Sequence, residues 1–306
     1  MYRISPIVLF AVACSDYDLL AKDVGDLIGD DTAVEEADSE GTLDTADSDV
    51  PDTDEPVEDP NRPVAVCVVS PNPVQPPFEA ATWNGADSYD PSGQPLMSYS
   101  WTLAQKTEGS SATFNNSSAS VINNFVPDLA GDYVGRLTVT NQAGLTDTCE
   151  TTLQSIPSQN LWVEMFWQYP DEDMDLHLIA PGANWQSAKT SDQDCYYANC
   201  TPSAWIPLDW GQQGNTSDDP SLDIDDIPGT GPENINIFNP ETSGAYTVVV
   251  HDYQGSTSDV QGPNEVTVNI YLNGVLEWSD TRVISGENTY TPFAKIDWGS
   301  GTVIPQ

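Results

Sequence analysis

The chain has 306 residues, a formal net charge of -40 from 48 acidic and 8 basic side chains, and 5 cysteines. Binding a polyanion needs a basic surface, so nucleic acid is excluded as a partner, while divalent cations fit the charge. The length is enough for two ordinary domains, each with its own core.

At the N-terminus, Ile4 to Ala13 is a short apolar run behind Arg3, closing with Ala11-Val12-Ala13-Cys14. It is too short to span a bilayer and suits an export signal over 1–13. Small residues just before a cysteine resemble the lipobox of bacterial lipoproteins. That resemblance implies a lipid on Cys14 and anchoring at the outer membrane or cell surface, although Ala11 stands where lipoboxes favour Leu. Ala11-x-Ala13 also fits an ordinary signal peptidase site, which would give a secreted or periplasmic soluble protein. Cysteine arithmetic favours the lipid: an odd cysteine is left over in an oxidising compartment unless it has another task. With Cys14 modified, two disulfides are expected, Cys67 with Cys149 and Cys195 with Cys200. A zinc site at Cys195 and Cys200 lacks a second cysteine pair or a nearby histidine.

Residues 14–62 are a low-complexity mixture of Asp and Glu with Thr, Ser, Ala and Pro, as in Asp52-Thr53-Asp54-Glu55-Pro56. Such a segment repels itself and cannot bury a core, so it is expected to be a disordered tether. As a flexible coil it would span roughly 40 Å, enough to hold a domain clear of a lipid surface.

From 63 to 157, short alternating runs are split by turn residues, a β-sandwich pattern. Pro63 to Val69 opens as a strand, Tyr99-Ser100-Trp101-Thr102-Leu103 alternates around Trp101, and Gly131 to Thr140 is a late strand. Ser88-x-Asp90-Pro91-x-Gly93, Tyr99-x-Trp101, Phe125-x-Pro127-x-x-x-Gly131-x-Tyr133 and Asn141-x-x-Gly144 follow in an order and spacing that resemble a PKD domain. The segment departs from that pattern after Trp101, where Thr102-Leu103-Ala104-Gln105 replaces the common Phe-Gly-Asp-Gly. The resemblance implies an immunoglobulin-like spacer or protein-contact module without catalysis. Trp101, the single aromatic at the centre of an alternating strand, is expected to face the core.

Residues 158–306 are again β-rich. Strands are predicted at Leu161 to Trp167, Leu176 to Ile179, Ala245 to His251, Glu265 to Leu272 and Val275 to Trp278, with Asn273-Gly274 as a hairpin turn. A sandwich or jelly roll follows. Between the second and third of these strands runs a long stretch with little regular pattern, holding Trp185, Tyr196, Tyr197, Trp205, Trp210 and a dense acidic run; a loop of that length is commonly functional. Trp167 with Asp173-x-Asp175-Leu176-His177, and Gly244-x-Tyr246-x-Val248-x-Val250-His251, resemble poorly characterised β-sandwich domains of bacterial envelope proteins, a likeness that carries no established activity.

Asp171, Asp173 and Asp175 alternate, and Asp223, Asp225 and Asp226 cluster in the long stretch. Hard oxygen ligands drawn from several loops are what calcium requires. The first run is no EF-hand, since Leu176 stands at the sixth position and Gly182 at the twelfth. Any calcium site must therefore be assembled from separate segments, and solvated surface charge is the competing reading. The two strand-borne histidines are too few for a zinc catalytic set, and each is expected to pair with a carboxylate. No Gly-x-Ser-x-Gly elbow is present. The chain is expected to be an all-β, non-enzymatic binding or adhesion lipoprotein, calcium-assisted, with Trp185, Tyr196, Tyr197 and Trp205 presented to a glycan or protein at the cell surface. A structural envelope spacer is the first alternative. An extracytoplasmic hydrolase or its accessory subunit is the second.

Overall fold

Strands make up nearly all the regular structure of the computed structural model, which describes residues 59–170, 172–204, 207–227, 229–253 and 263–306. The export signal, Cys14 and the tether lie outside the described residues, apart from 59–62. Among the described residues, no helix is long and apolar enough to cross a membrane.

The first six strands are β1 (Val68–Ser70), β2 (Ala81–Asn84), β3 (Ser98–Gln105), β4 (Val121–Phe125), β5 (Gly131–Thr140) and β6 (Thr146–Ser155). They form two three-stranded sheets, β1-β2-β4 and β3-β5-β6, and the predicted late strand is β5. Alternate residues of both sheets meet in one core that contains Trp83, Trp101, Phe125, Tyr133, Leu137 and Val139. The aromatic rings pack edge to face, Trp83 lying 6.1 Å from Trp101 and 5.6 Å from Phe125 between centroids, a geometry that their quadrupoles favour. Cys67 and Cys149 are disulfide-bonded across this core, with Cα atoms 6.0 Å apart.

The opening strand is shorter than the sequence suggests. Residues 64–67 carry a strand-like composition, but side chains satisfy their backbone instead of a ladder. The Ser88 hydroxyl accepts from Val66 N at 2.9 Å and donates to Val66 O at 3.1 Å, and Asp147 accepts from Ala65 N at 2.8 Å. Only Val64 forms a bridge there, to Tyr89.

The second set comprises β7 (Leu161–Trp167), β8 (Met174–Ile179), β9 (Asp194–Cys195), β10 (Ser221–Ile224), β11 (Glu233–Ile237), β12 (Tyr246–Asp252), β13 (Asn264–Leu272), β14 (Val275–Ile284), β15 (Tyr290–Asp297) and β16 (Thr302–Pro305), with a one-turn helix α1 (Trp185–Ala188). Two five-stranded antiparallel sheets result, β10-β11-β7-β13-β14 and β16-β15-β12-β8-β9. Their facing residues, among them Val163, Met165, Leu176, Leu178, Ile235, Val248, Val250, Val268 and Phe293, share one core, so this half is a β-sandwich. Asn273 and Gly274 both take positive φ, 53° and 78°, as a tight hairpin turn between right-twisting strands requires.

The predicted irregular stretch is in part regular: α1, β9, β10 and β11 lie inside it. β11 pairs along its whole length with β7. Its sequence, Glu-Asn-Ile-Asn-Ile, has only two apolar residues to signal a central strand, which is why composition misses it.

β7 is buried on both faces. Leu161, Val163 and Met165 face the sandwich core, while Trp162, Glu164 and Phe166 face the first domain. Trp162 packs with Ala130 and Tyr271, and Gly109 sits so close to the Phe166 ring that a Cβ there would lie 2.3 Å from it. Glu164, wholly buried at this joint, accepts four hydrogen bonds: from Ala130 N at 3.2 Å, Trp162 Nε1 at 3.1 Å, Asn269 Nδ2 at 3.1 Å and the Tyr271 hydroxyl at 3.0 Å. Burial raises its pKa and these donors oppose the rise.

Inside the first domain a tight steric condition falls at Gly135, mid-strand in β5, whose added Cβ would fall 2.4 Å from the Trp83 ring. The ring is wedged among Trp101, Phe114 and Phe125 and has no room to retreat. Gly135→Ala is expected to destabilise the protein by about 1–3 kcal/mol, as overpacking of a filled core does. Denaturant unfolding followed by tryptophan fluorescence checks this, and an unchanged midpoint would contradict it.

Candidate functional site

β8 and β12 are antiparallel neighbours in a register that sets His251 opposite Asp175 and His177 opposite Val249. Met174, Leu176 and Leu178 of β8 and Val248 and Val250 of β12 point into the core. By alternation Asp175, His177, Val249 and His251 share the other face of that sheet. This face is covered rather than open, and Asp175, His177 and His251 are all buried.

The cover is aromatic. The Tyr196 ring stacks on His177 with centroids 5.2 Å apart, and Tyr290 stacks on His251 at 3.9 Å. Tyr253 meets His251 edge-on at 5.6 Å and Tyr197 meets Tyr253 at 5.6 Å. The disulfide between Cys195 and Cys200, Cα atoms 5.1 Å apart, fixes the short loop that carries Tyr196 and Tyr197. Each imidazole pairs with a carboxylate, as expected: His177 Nδ1 lies 2.8 Å from Asp194 Oδ2, and His251 Nδ1 lies 3.1 Å from Asp175 Oδ2.

Beside the histidines, acidic side chains from three segments converge. Asp175, Asp225 and Glu233 offer oxygens within 4.8 Å of one another, and Asp173 and Asp226 raise the negative potential among them. Glu233, the first residue of β11, is fully buried; its Oε2 accepts from Leu176 N at 2.7 Å and its Oε1 has no partner. Asp173, also buried, has an Oδ1 without a partner. Among the described residues, the Lys and Arg ion pairs lie elsewhere, at Asp147, Glu150 and Asp280. A cavity of about 200 Å³ opens here, lined by Asp173, Asp175, Tyr197, Ile227 and Tyr253.

Burial without a countercharge disfavours the ionised forms. Asp173 is pushed up to about 6 by burial first, then by Asp175, Asp225 and Asp226. Glu233 is raised well above its ordinary value by burial and by Asp175, against the Leu176 N–H that lowers it. Asp225 is raised by burial and Asp175, and Asp226 by burial.

The structure thus brings together Asp173, Asp175, Asp225 and Asp226 of the predicted calcium ligands, and Tyr196 and Tyr197 of the predicted ligand-contacting aromatics. Asp223 does not join them. Its Oδ1 accepts from the Ser221 hydroxyl at 2.9 Å and its Oδ2 takes the Asn234 and Asn236 amides, because strand alternation turns it to a different face from Glu233. Trp185 is also apart: it packs with Ile179, Ala188 and Val249 and lines a separate hollow with Gly182 and Lys295. Trp210 is core, stacked on Tyr246 at 6.3 Å. Asp171 and Trp205 lie outside the described residues. Glu233 is the residue that sequence reading missed; among so many carboxylates its one local signal is its place at the start of β11, just after Gly231-Pro232.

Residues 72–154 match the family model described as K319L-like, PKD domain, so the first sandwich is a PKD domain. Among solved structures the chain is similar to the PKD1 domain of Vibrio anguillarum Epp, at 26% identity over 31% of this chain and 93% of that one, with a TM-score of 0.24. It is similar to the PKD domain from KIAA 1837 protein at 24% identity, over 29% of this chain and 83% of that one, with a TM-score of 0.24. A structure described as the structural basis for the promiscuous specificity of carbohydrate-binding modules from the β-sandwich superfamily shares 13% identity over 76% of this chain and 96% of its own, with a TM-score of 0.25. No curated protein matches the chain.

The raised Asp173 carboxyl gives the cation-free protein a defined pH response. A folded-state value of about 6 lies above the ordinary carboxylate near 4, so the folded form binds the proton more tightly than the unfolded form does. That contribution is fully present below about pH 4 and is lost as pH rises through about 6. In chelator, stability should fall over this window, and Asp173→Asn should flatten the fall. Melting temperatures measured at constant ionic strength from pH 4 to about 7 check it; parallel curves for the two proteins would contradict the assignment.

Proposed function

We propose that the chain is an exported binding protein that acts without catalysis. In this reading it is anchored in the envelope by lipid on Cys14 and reaches a glycan or protein at the cell surface through its second sandwich. The observation that carries it is the convergence of Asp173, Asp175, Asp225, Asp226 and Glu233 beside a tyrosine wall, with buried oxygens of Asp173 and Glu233 left without partners. Oxygen donors of this kind suit calcium, whose large coordination number tolerates ligands from separate segments. Neutralising the carboxylates would hold the 225–226 segment against β8 and with it the cavity edge formed by Ile227, Tyr197 and Tyr253. Tyrosines offer a flat apolar face for a sugar ring or a protein side chain and a hydroxyl for polar contact.

Calcium should stabilise the full chain by mass action, by about 2.7 kcal/mol at a hundredfold excess over its dissociation constant. The melting temperature should rise in calcium and not in magnesium at matched ionic strength, and Glu233→Gln should remove most of the rise. Equal melting in calcium, magnesium and chelator would defeat the cation reading. Binding to a glycan array that needs calcium and is lost in Tyr197→Ala would separate a binding role from that of a spacer.

The anchor is decided by mass spectrometry of the mature N-terminus, where a diacylated Cys14 is expected. Cys14→Ser should then release the protein from membrane fractions. An unmodified cysteine would leave an exported soluble protein.

A further inference from the structure

The oxygen cluster does not use the two imidazoles, and their geometry calls for a different kind of ligand. Both rings are tied through Nδ1 to a carboxylate, His177 to Asp194 at 2.8 Å and His251 to Asp175 at 3.1 Å. For His177, Asp194 accepting from Nδ1 fixes the tautomer that leaves the lone pair on Nε2, the arrangement found behind histidines that ligate metals, whereas Asp175 faces the His251 Nδ1 at a spacing that two ligands of one ion can take. The His177 Nε2 is buried and without a hydrogen-bond partner, on a residue only 1% exposed. Protonating that ring would not cure this, because an Nε2–H would need an acceptor just as the lone pair needs a donor. The rings stand 5.7 Å apart at 73°, and Asp175, His177 and His251 offer ligand atoms that all lie within 4.8 Å of one another. Stacked Tyr196 and Tyr290 close the sides of this pocket and hold the ring planes.

We propose that His177 through Nε2, His251 through the Nδ1 that faces Asp175, and Asp175 itself form a second metal position, for a dication of the zinc class, next to the proposed calcium cluster. Imidazole nitrogen with one carboxylate selects zinc and its first-row neighbours over calcium, which prefers oxygen alone. Asp194 acts here as a positioning residue that orients His177. Asp175 borders both positions, so a cation in either one lowers the repulsion that the other cluster of charges imposes. The proposal goes beyond the calcium reading and does not need it.

The test uses the full chain, stripped with chelator and titrated with Zn²⁺ by calorimetry and with Co²⁺ by visible absorption. One equivalent should bind, with the intense bands of low-coordinate cobalt, and His177→Gln and His251→Gln should each weaken zinc by tenfold or more. Asp194→Asn should weaken it by about 10- to 100-fold while keeping both ligands, as loss of a supporting carboxylate does. Zinc binding as tight in both histidine variants as in the parent would overturn the proposal, and so would the absence of zinc binding. Should a histidine variant fail to fold, zinc X-ray absorption on the parent protein decides, by finding two imidazole ligands or none. A calcium melting shift without zinc binding overturns this proposal alone; zinc binding without a calcium shift overturns the calcium reading alone.

Discussion

A strand that is buried on both faces organises this molecule. β7 donates one set of side chains to the core of the second sandwich and the alternate set to the joint with the PKD domain. Because no face is left for water, the one charged residue in it must be satisfied internally, and Glu164 accepts four hydrogen bonds drawn from β7 itself, β13 and Ala130 of the first domain. The same residue that would be costly unpartnered therefore specifies how the two sandwiches meet: the donor from Ala130 exists only when the first domain is seated. Gly109 against the Phe166 ring is the steric counterpart of that electrostatic condition.

The placement of β7 also fixes the site. β11 pairs with β7 in a register that sets Glu233 opposite Met165, and so carries Glu233 to the end of the sandwich where β8 begins. There Leu176 N donates to it, and Asp175 and Asp225 face it. Negative charge spread over an acidic surface is cheap, since water screens it; the same charge gathered in buried positions without Lys or Arg is not. The raised pKa of Asp173, Asp225 and Glu233 expresses that cost. Bound cations are the ordinary means by which such an arrangement is made favourable, and oxygen-rich and imidazole-bearing groups stand side by side here.

The short loop closed by Cys195 and Cys200 sets tyrosine rings against these charges. It places Tyr196 over His177 and Tyr197 at the cavity edge with Tyr253. Trp210, more conspicuous in the sequence, is consumed by packing, as large aromatics near a core usually are, and Trp185 is half-buried away from this cluster.

Much of the architecture was legible in the residues themselves. Period-two alternation gives the strands, Asn273-Gly274 gives its hairpin, and Trp101, with Tyr99 and the Ser88 to Gly93 turn, marks the PKD pattern because each of these signals is local. Acidic composition and Asp-x-Asp spacing announced carboxylate chemistry, and the cysteine count its two disulfides. What local pattern cannot carry is which distant segments become neighbours. Asp223 and Asp225 are two residues apart in the chain, yet the register irregularity of β10 near Leu222 and Ile224 and the pairing of β11 leave one bonded to asparagines and the other facing Asp175. Glu233 was one carboxylate among many until β11 placed it. The two histidines share a site only because β8 and β12 pair antiparallel in that register, a non-local hydrogen-bond ladder that the sequence around neither histidine encodes.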